Sequence, residues 1–131
     1  MKLLLDTHCW LWLKFDASRL PSPLRRRLSR NPDNLVLSSA SVMEIVIKQA
    51  TGKLTLGGGG ARAFVNELLE DGVAALHANV EHMLGLAALP TLHRDPFDRL
   101  LVAQAMVEGM TLVSADPQVL AYDVATLDAR K

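Results

Sequence analysis

The chain has 131 residues, of which 50% are hydrophobic and 5% aromatic, and its 14 basic residues balance its 14 acidic ones. This length suits one domain, residues 1–131, with an aliphatic core, and the formal charge of +0 excludes an overall field that would attract nucleic acid. The single cysteine, Cys9, excludes an internal disulfide and a cysteine-rich zinc site, and the absence of a signal peptide or of an apolar run near roughly 18 residues predicts a soluble cytoplasmic protein.

Short apolar segments recur along the chain and predict the strands of a sheet. They are residues 2–5, 35–37, 73–76, 110–113 and 124–127. Helical patterns fill the intervals, over residues 7–14, 23–30, 40–50, 61–70, 80–89 and 97–108. Because strands alternate with helices, we predict a three-layer α/β/α domain with a central parallel sheet.

Local signals mark where some of these elements begin and end. Ser39 or Ser41 is a candidate N-cap for the helix at 40–50, and Gly109 is the expected C-terminal stop of the helix at 97–108. The run of glycines at 57–60 predicts a flexible connection that is too short to separate two domains.

Four acidic residues lie in or beside apolar segments, where a charge is costly unless it is compensated: Asp6, Glu44, Asp98 and Asp116. Asp6 and Asp116 directly follow predicted strands, whereas Glu44 and Asp98 fall in the first turns of helices. All four positions belong to the same edge of a parallel sheet, where ligands of such folds bind. We therefore expect a converging site for a hard divalent metal, Mg²⁺ or Mn²⁺.

Each acid also has a simpler interpretation. Asp6 and Asp116 could do no more than cap the helices that follow them. Glu44 could form a surface pair with Lys48, although the polar face of that helix is narrow. Asp95 precedes Pro96 and is the better N-cap for the helix at 97–108, which leaves Asp98 available for metal.

The remaining polar residues give weaker signals. The four histidines are not at ligand spacing from one another, which argues against a zinc site. His93 precedes the acids at 95 and 98 and is a candidate for touching substrate or partner. The arginines within residues 25–30 predict a solvated helix face, with phosphate or partner contact as the alternative.

Taken together, these residues resemble the PIN-domain family and, within it, the VapC-type toxins of bacterial toxin–antitoxin pairs. The resemblance covers nearly the full chain, and its third segment is the most specific. The matching segments are residues 4–8, 38–45 with 53–54, 93–105 and 112–116. The glycines at 57–60 are a departure from the family pattern.

The resemblance implies a metal-dependent endoribonuclease. By position, Asp6, Glu44, Asp98 and Asp116 match the family's acidic quartet, Ser114 matches a residue that supports the last acid, and Asp95 matches an auxiliary acid. Also implied are Mg²⁺ or Mn²⁺ as cofactor, RNA as substrate, a cognate antitoxin as inhibitor, and a homodimer.

Two other functional classes were considered. A receiver-like phosphoacceptor domain needs a lysine near the end of a late strand, and after Lys53 the chain has only Lys131. A catalytically silent PIN-like module that binds RNA or protein is the second alternative, and the intact acidic quartet argues against it.

Overall fold

The computed structural model describes residues 2–131 and contains a five-stranded, entirely parallel sheet. The strands are β1 (Leu3–Leu5), β2 (Leu35–Ser38), β3 (Ala74–Leu76), β4 (Thr111–Ser114) and β5 (Thr126–Asp128). Their order across the sheet is β3-β2-β1-β4-β5. The predicted strands are confirmed to within two residues at each end.

The helices lie between the strands. They are α1 (Thr7–Phe15), α2 (Ser22–Arg30), α3 (Ser39–Ala50), α4 (Gly60–Glu70), α5 (Val80–Gly85), α6 (Pro96–Glu108) and α7 (Pro117–Leu120), with 3-10 turns at Ala17–Arg19, Pro32–Asn34 and Leu86–Ala88. The helix predicted at 80–89 is shorter, because its last turn is a 3-10 turn. α7 was not predicted, since four residues are too few to show helical periodicity.

Alternate residues of the central strands face opposite sides of the sheet. In β1, Leu3 and Leu5 pack in one apolar cluster, which includes Cys9 and Trp10 of α1, whereas Leu4 packs in a second. The first cluster takes side chains from α1, α2 and α4, and the second takes them from α6 and α7. Helices on both faces of the sheet confirm the α/β/α architecture.

The cap of α3 differs from the prediction. Ser38, at the end of β2, is the N-cap, and its hydroxyl accepts the amide of Ala40 at 3.0 Å. Ser39 instead accepts the amide of Ala78 at 2.9 Å, and Ser41 accepts the hydroxyl of Thr7 at 3.0 Å. The prediction of Ser39 or Ser41 was wrong because strand and helix follow each other without a loop, so the last strand residue caps the helix.

The strand order places β1 between β2 and β4, the point at which the chain changes direction across the sheet. In parallel sheets the crevice for ligands opens outside the carboxyl ends of the strands at such a point. α1 and α3 begin directly after β1 and β2 at this edge. In the part of the chain that the structure covers, no helix has the length and hydrophobicity to span a membrane.

Candidate active site

Asp6 ends β1 and caps α1, and both of its carboxylate oxygens are engaged. Oδ1 accepts the amide of Cys9 at 2.8 Å, and Oδ2 accepts the hydroxyl of Ser114 at 2.5 Å. The Asp6 amide donates to the carbonyl oxygen of Val113 at 3.0 Å. The residue is 4% exposed, so this buried carboxylate is held between two neighbouring strands. Asp6 therefore caps α1, as the simpler interpretation predicted, and this cap is compatible with a metal site.

Ser114 links Asp6 to Asp116. Its hydroxyl donates to Asp6 and accepts the amide of Asp116 at 3.1 Å. Asp116 in turn caps α7, accepting the amide of Gln118 at 2.9 Å, and its side chain is 37% exposed. The serine that the resemblance assigned to the last acid therefore contacts two acids of the predicted quartet.

Glu44 lies in α3 with only 3% of its surface exposed. Its Oε2 pairs with Nζ of Lys48 at 2.7 Å, so the pair predicted from the sequence exists, but its acid is buried. Among the described residues, Oε1 is buried and has no hydrogen-bond partner. A buried carboxylate oxygen without a partner is costly, which makes it a candidate for contact with a cation.

Asp95 is the N-cap of α6, as predicted. Its Oδ1 accepts the amides of Phe97 at 2.8 Å and Asp98 at 3.1 Å. Because Asp95 performs the capping, the carboxylate of Asp98 is left to make contacts away from the helix backbone.

His93 connects Asp98 to Asp116. Its Nε2 lies 2.8 Å from Oδ2 of Asp98 and 3.3 Å from Oδ2 of Asp116. One ligand atom from each of these three residues lies within 4.8 Å of the others, which is compact enough for a single ion. From the sequence, His93 was a candidate only for contact with substrate or partner, and its position in the loop before Asp95 was the one signal that it lies among the acids.

Burial raises the pKa of Asp98 to about 6, and the charge of Asp95 adds to the effect. The hydrogen bond from His93 opposes this rise in pKa, whereas the charges of Asp6 and Glu44 reinforce it. Acids delivered by three segments, the end of β1, α3 and the start of α6, therefore repel one another at one edge of the sheet. The rise in the pKa of Asp98 agrees with the expectation that crowded acids without metal resist ionisation.

Cys9 lies beside this site without sharing its chemistry. Burial raises the pKa of its thiol well above the usual range, and the nearby charge of Asp6 raises it further. The thiol therefore stays protonated and provides neither a nucleophile nor a thiolate ligand.

The residues present fit a divalent cation. The donor atoms are mainly carboxylate oxygens, which hard ions such as Mg²⁺ and Mn²⁺ prefer. The unpartnered oxygen of Glu44 and the raised pKa of Asp98 both indicate negative charge that the protein compensates only in part. Lys48 pairs with the other oxygen of Glu44, and Nε2 of His93 lies within hydrogen-bonding distance of Asp98.

A family model described as the PIN domain matches residues 3–125. No curated protein sequence matches the chain at a significant level.

Several solved structures share the fold. A chain of the DNA-bound VapBC complex from Salmonella typhimurium superposes with a TM-score of 0.71 at 17% identity, covering 98% of each chain. A chain of VapBC2 from Rickettsia felis, bound to a promoter DNA fragment, gives 0.75 at 15% identity and also covers 98% of each. A chain of VapBC-1 from nontypeable Haemophilus influenzae gives 0.68 at 23% identity and covers 100% of each. At these identities the likeness is one of fold.

Proposed function

The chain belongs to the PIN-domain family, and from this premise we propose that it is a metal-dependent endoribonuclease, the toxin of a type II toxin–antitoxin pair. Residues 1–131 would form one PIN domain that cleaves RNA phosphodiester bonds in the cytoplasm with Mg²⁺ or Mn²⁺. The observation that carries this proposal is the crowding of acids at the carboxyl edge of the sheet. There Glu44 has a buried oxygen without a partner in the described chain, and the pKa of Asp98 is raised to about 6.

Asp6, Glu44 and Asp98 would hold a first ion, and Asp116 would complete its ligand set or help to place a second. When bound, such ions would activate a water and stabilise the leaving oxygen of an in-line displacement at phosphorus. Carboxylates are the ligands that these hard ions prefer.

The chain's own residues keep these acids in place. Ser114 holds Asp6 and the backbone of Asp116, and Asp95 fixes the first turn of α6, from which Asp98 extends. His93, in the loop before α6, places Nε2 at hydrogen-bonding distance from Asp98 and 3.3 Å from Asp116. Ligands held by such supporting contacts need little reorganisation when a cation or a phosphate arrives.

We also propose a cognate antitoxin as partner. The similar structures are VapBC complexes, two of them bound to DNA. The chain has a formal charge of +0, but its site concentrates carboxylates. An arginine from an inhibitor would pair with these acids in the bidentate geometry that guanidinium and carboxylate favour.

A homodimer is the third element of the proposal. The adjoining surfaces of α5 and α6 expose apolar side chains, with Val80 at 70%, Leu84 at 61% and Val107 at 43%. The two helices approach closely at Gly85, where an added Cβ would lie 3.3 Å from a methyl of Val107. Exposed apolar side chains on adjoining helices are typical of a subunit interface.

The experiment that tests the function is cleavage of a mixed RNA substrate by the purified, antitoxin-free protein with Mg²⁺ or Mn²⁺. EDTA and Asp6→Asn provide the controls, since Asn keeps the shape and the cap acceptor while it removes the charge. We expect cleavage that needs metal and is lost in the variant. Cleavage that persists in EDTA, or in both Asp6→Asn and Asp98→Asn, would reject this site.

The same experiment tests the catalytically silent module. The caps formed by Asp6 and Asp116, and the pairing of Lys48 with Glu44, are what that alternative requires. A folded protein that neither cuts RNA nor binds Mn²⁺ would favour it. A protein that binds Mn²⁺ but leaves mixed RNA intact would instead indicate a narrow substrate range.

A further inference from the structure

A cavity of about 290 Å³ lies beside the acids, between the second half of α3 and the start of α6. Its lining combines apolar and charged side chains, namely Glu44, Ile47, Lys48, Lys53, Asp95 and Phe97. Glu44 belongs both to this cavity and to the acid cluster, and Asp95 neighbours Asp98 through the cap of α6. The cavity is therefore continuous with the proposed site of phosphodiester cleavage.

The end of α3 brings two lysines to this cavity. Gly52 has a φ of +76°, a left-handed conformation that turns the chain back on the helix. The amide of Lys53 consequently donates to the carbonyl oxygen of Lys48 at 2.9 Å. Lys48 pairs with Glu44, whereas Lys53 is exposed and forms no ion pair with any residue from 2 to 131. Lys53 is thus a cation available to a ligand.

The apolar part of the lining suits a flat ring. Phe97 is half-buried and Ile47 is 41% exposed, so both retain surface that a ligand can cover. An aromatic side chain beside cations is the combination with which proteins bind single-stranded nucleic acid, because every base can stack on it. A duplex cannot use such a cavity, since its bases already stack on one another.

We propose that this cavity binds one nucleotide of single-stranded RNA next to the scissile bond, with the base stacked on Phe97 and a phosphate paired with Lys53. The inference rests on the proposed nuclease function and deepens it. Because Glu44 lines both the cavity and the acid cluster, a nucleotide bound here brings its neighbouring phosphate to the acids. Because bases differ in how strongly they stack, the cavity would impose a modest base preference on one side of the cleaved bond.

Two measurements test the subsite. The first is binding of a short fluorescent single-stranded RNA to protein carrying Asp6→Asn, with Mg²⁺ present, so that the RNA stays intact. The second is sequencing of the ends produced from a random RNA library by protein with Asp6 unchanged. Each measurement is repeated on three variants of the subsite, Phe97→Ala, Phe97→Tyr and Lys53→Gln. The control variant is Phe15→Ala, which removes a 52% exposed phenylalanine from the end of α1.

We expect Phe97→Ala to weaken RNA binding about tenfold and to flatten the base preference at one position, whereas Phe97→Tyr keeps both. Lys53→Gln should weaken binding about threefold and reduce its dependence on salt, without changing the base preference. The Phe15→Ala control should match the unmodified protein. A melting curve for each variant checks that Phe97→Ala still folds, and Lys53→Gln preserves the test if it does not.

The outcomes separate this inference from the proposed function. If the protein cuts RNA and both Phe97→Ala and Lys53→Gln behave like the Phe15→Ala control, the subsite is wrong and the nuclease stands. If the protein neither cuts RNA nor binds Mn²⁺, but Phe97 and Lys53 still govern RNA binding, the subsite stands and the nuclease is wrong. Absence of cleavage, of Mn²⁺ binding and of RNA binding overturns both.

Discussion

Two polar clusters in this molecule are largely buried, yet among the described residues only one of them has its buried hydrogen-bonding groups satisfied. The first runs from Ser38 through Gln104 and His82 to Glu108. The Ser38 hydroxyl donates to Oε1 of Gln104. The side-chain nitrogen Nε2 of Gln104 lies 3.4 Å from Nδ1 of His82, and Nε2 of His82 lies 2.8 Å from Oε2 of Glu108. The second is the acid cluster, in which the carboxylates repel one another.

The two clusters differ in their charge and in whether their buried polar atoms have hydrogen-bond partners. The first three side chains of the satisfied cluster are 0% exposed, and donors alternate with acceptors along it. His82 also closes a capping box, since its amide donates to Asn79 at 2.9 Å and its Nδ1 accepts the amide of Asn79 at 3.1 Å. In the acid cluster, Glu44 keeps an oxygen without a partner in the described chain. A satisfied network stabilises the fold, whereas an unsatisfied one marks a place for a ligand.

The largest expected effect comes from removing the unsatisfied charge. Glu44→Gln should lower RNA cleavage about 1,000-fold, beyond the roughly 10- to 100-fold that loss of a supporting residue costs. The fold should persist, because Gln can still accept the hydrogen bond from Lys48. Calorimetric titration should also show that the variant binds Mn²⁺ more weakly than the unmodified protein does. Unchanged Mn²⁺ affinity would remove Glu44 from the proposed ligands.

The next effect comes from breaking the satisfied cluster. Gln104→Ala should lower the free energy of unfolding by about 3 kcal/mol, since it removes the acceptor of the Ser38 hydroxyl and one polar contact of His82 and opens a cavity. Denaturant titration measures the loss. Mn²⁺ affinity of the folded variant should stay as in the unmodified protein, and a parallel loss of metal binding would show that the two clusters are coupled.

A smaller effect concerns pH. The folded protein raises the pKa of Asp98 to about 6 from an ordinary value of 3.8, so between these values the folded state binds more protons than the unfolded state. The metal-free protein should therefore lose stability as pH rises from about 4 to 6, by about 2 kcal/mol from this group, since partial exposure to solvent reduces the roughly 3 kcal/mol of the full shift. Asp98→Asn should remove that slope and stabilise the metal-free protein at pH 7.

Thermal melts in EDTA at pH 4 to 7 measure this dependence on pH. A melting temperature for Asp98→Asn that falls with pH as steeply as that of the unmodified protein would contradict the assignment. Added Mn²⁺ should stabilise the unmodified protein most at neutral pH, where Asp98 is ionised, and should leave the Asn variant largely unaffected.

The smallest effect separates capping from metal binding. Asp95→Ala should cost about 1 kcal/mol of stability, the usual value of a lost N-cap. Asp95→Ser keeps a capping oxygen and should recover most of that loss. If Asp95 acts only through the cap, Asp95→Ser should also restore Mn²⁺ affinity. Failure of Ser to do so would assign Asp95 a direct part in the site.

The strands and most of the helices could be predicted from local patterns. Apolar runs in the sequence predicted β1 to β5 within two residues, and periodicity predicted α6 within one residue of its observed start at Pro96. These signals are local, since they depend on side-chain period and on caps within a few residues. α7 was missed because its four residues leave only the cap, Asp116 before Pro117, as a signal.

The sequence by itself determined that buried acids follow the strands and begin the helices, because the alternation of strands and helices brings those positions to one edge. Only the tertiary structure decided how the acids are joined. Ser114 reaches back to Asp6 across 108 positions of sequence, and His93 lies between Asp98 and Asp116. Such contacts depend on strand order and on the path of a loop. Strand order and loop path do not appear as a periodic pattern in the sequence, because packing between distant segments sets both of them.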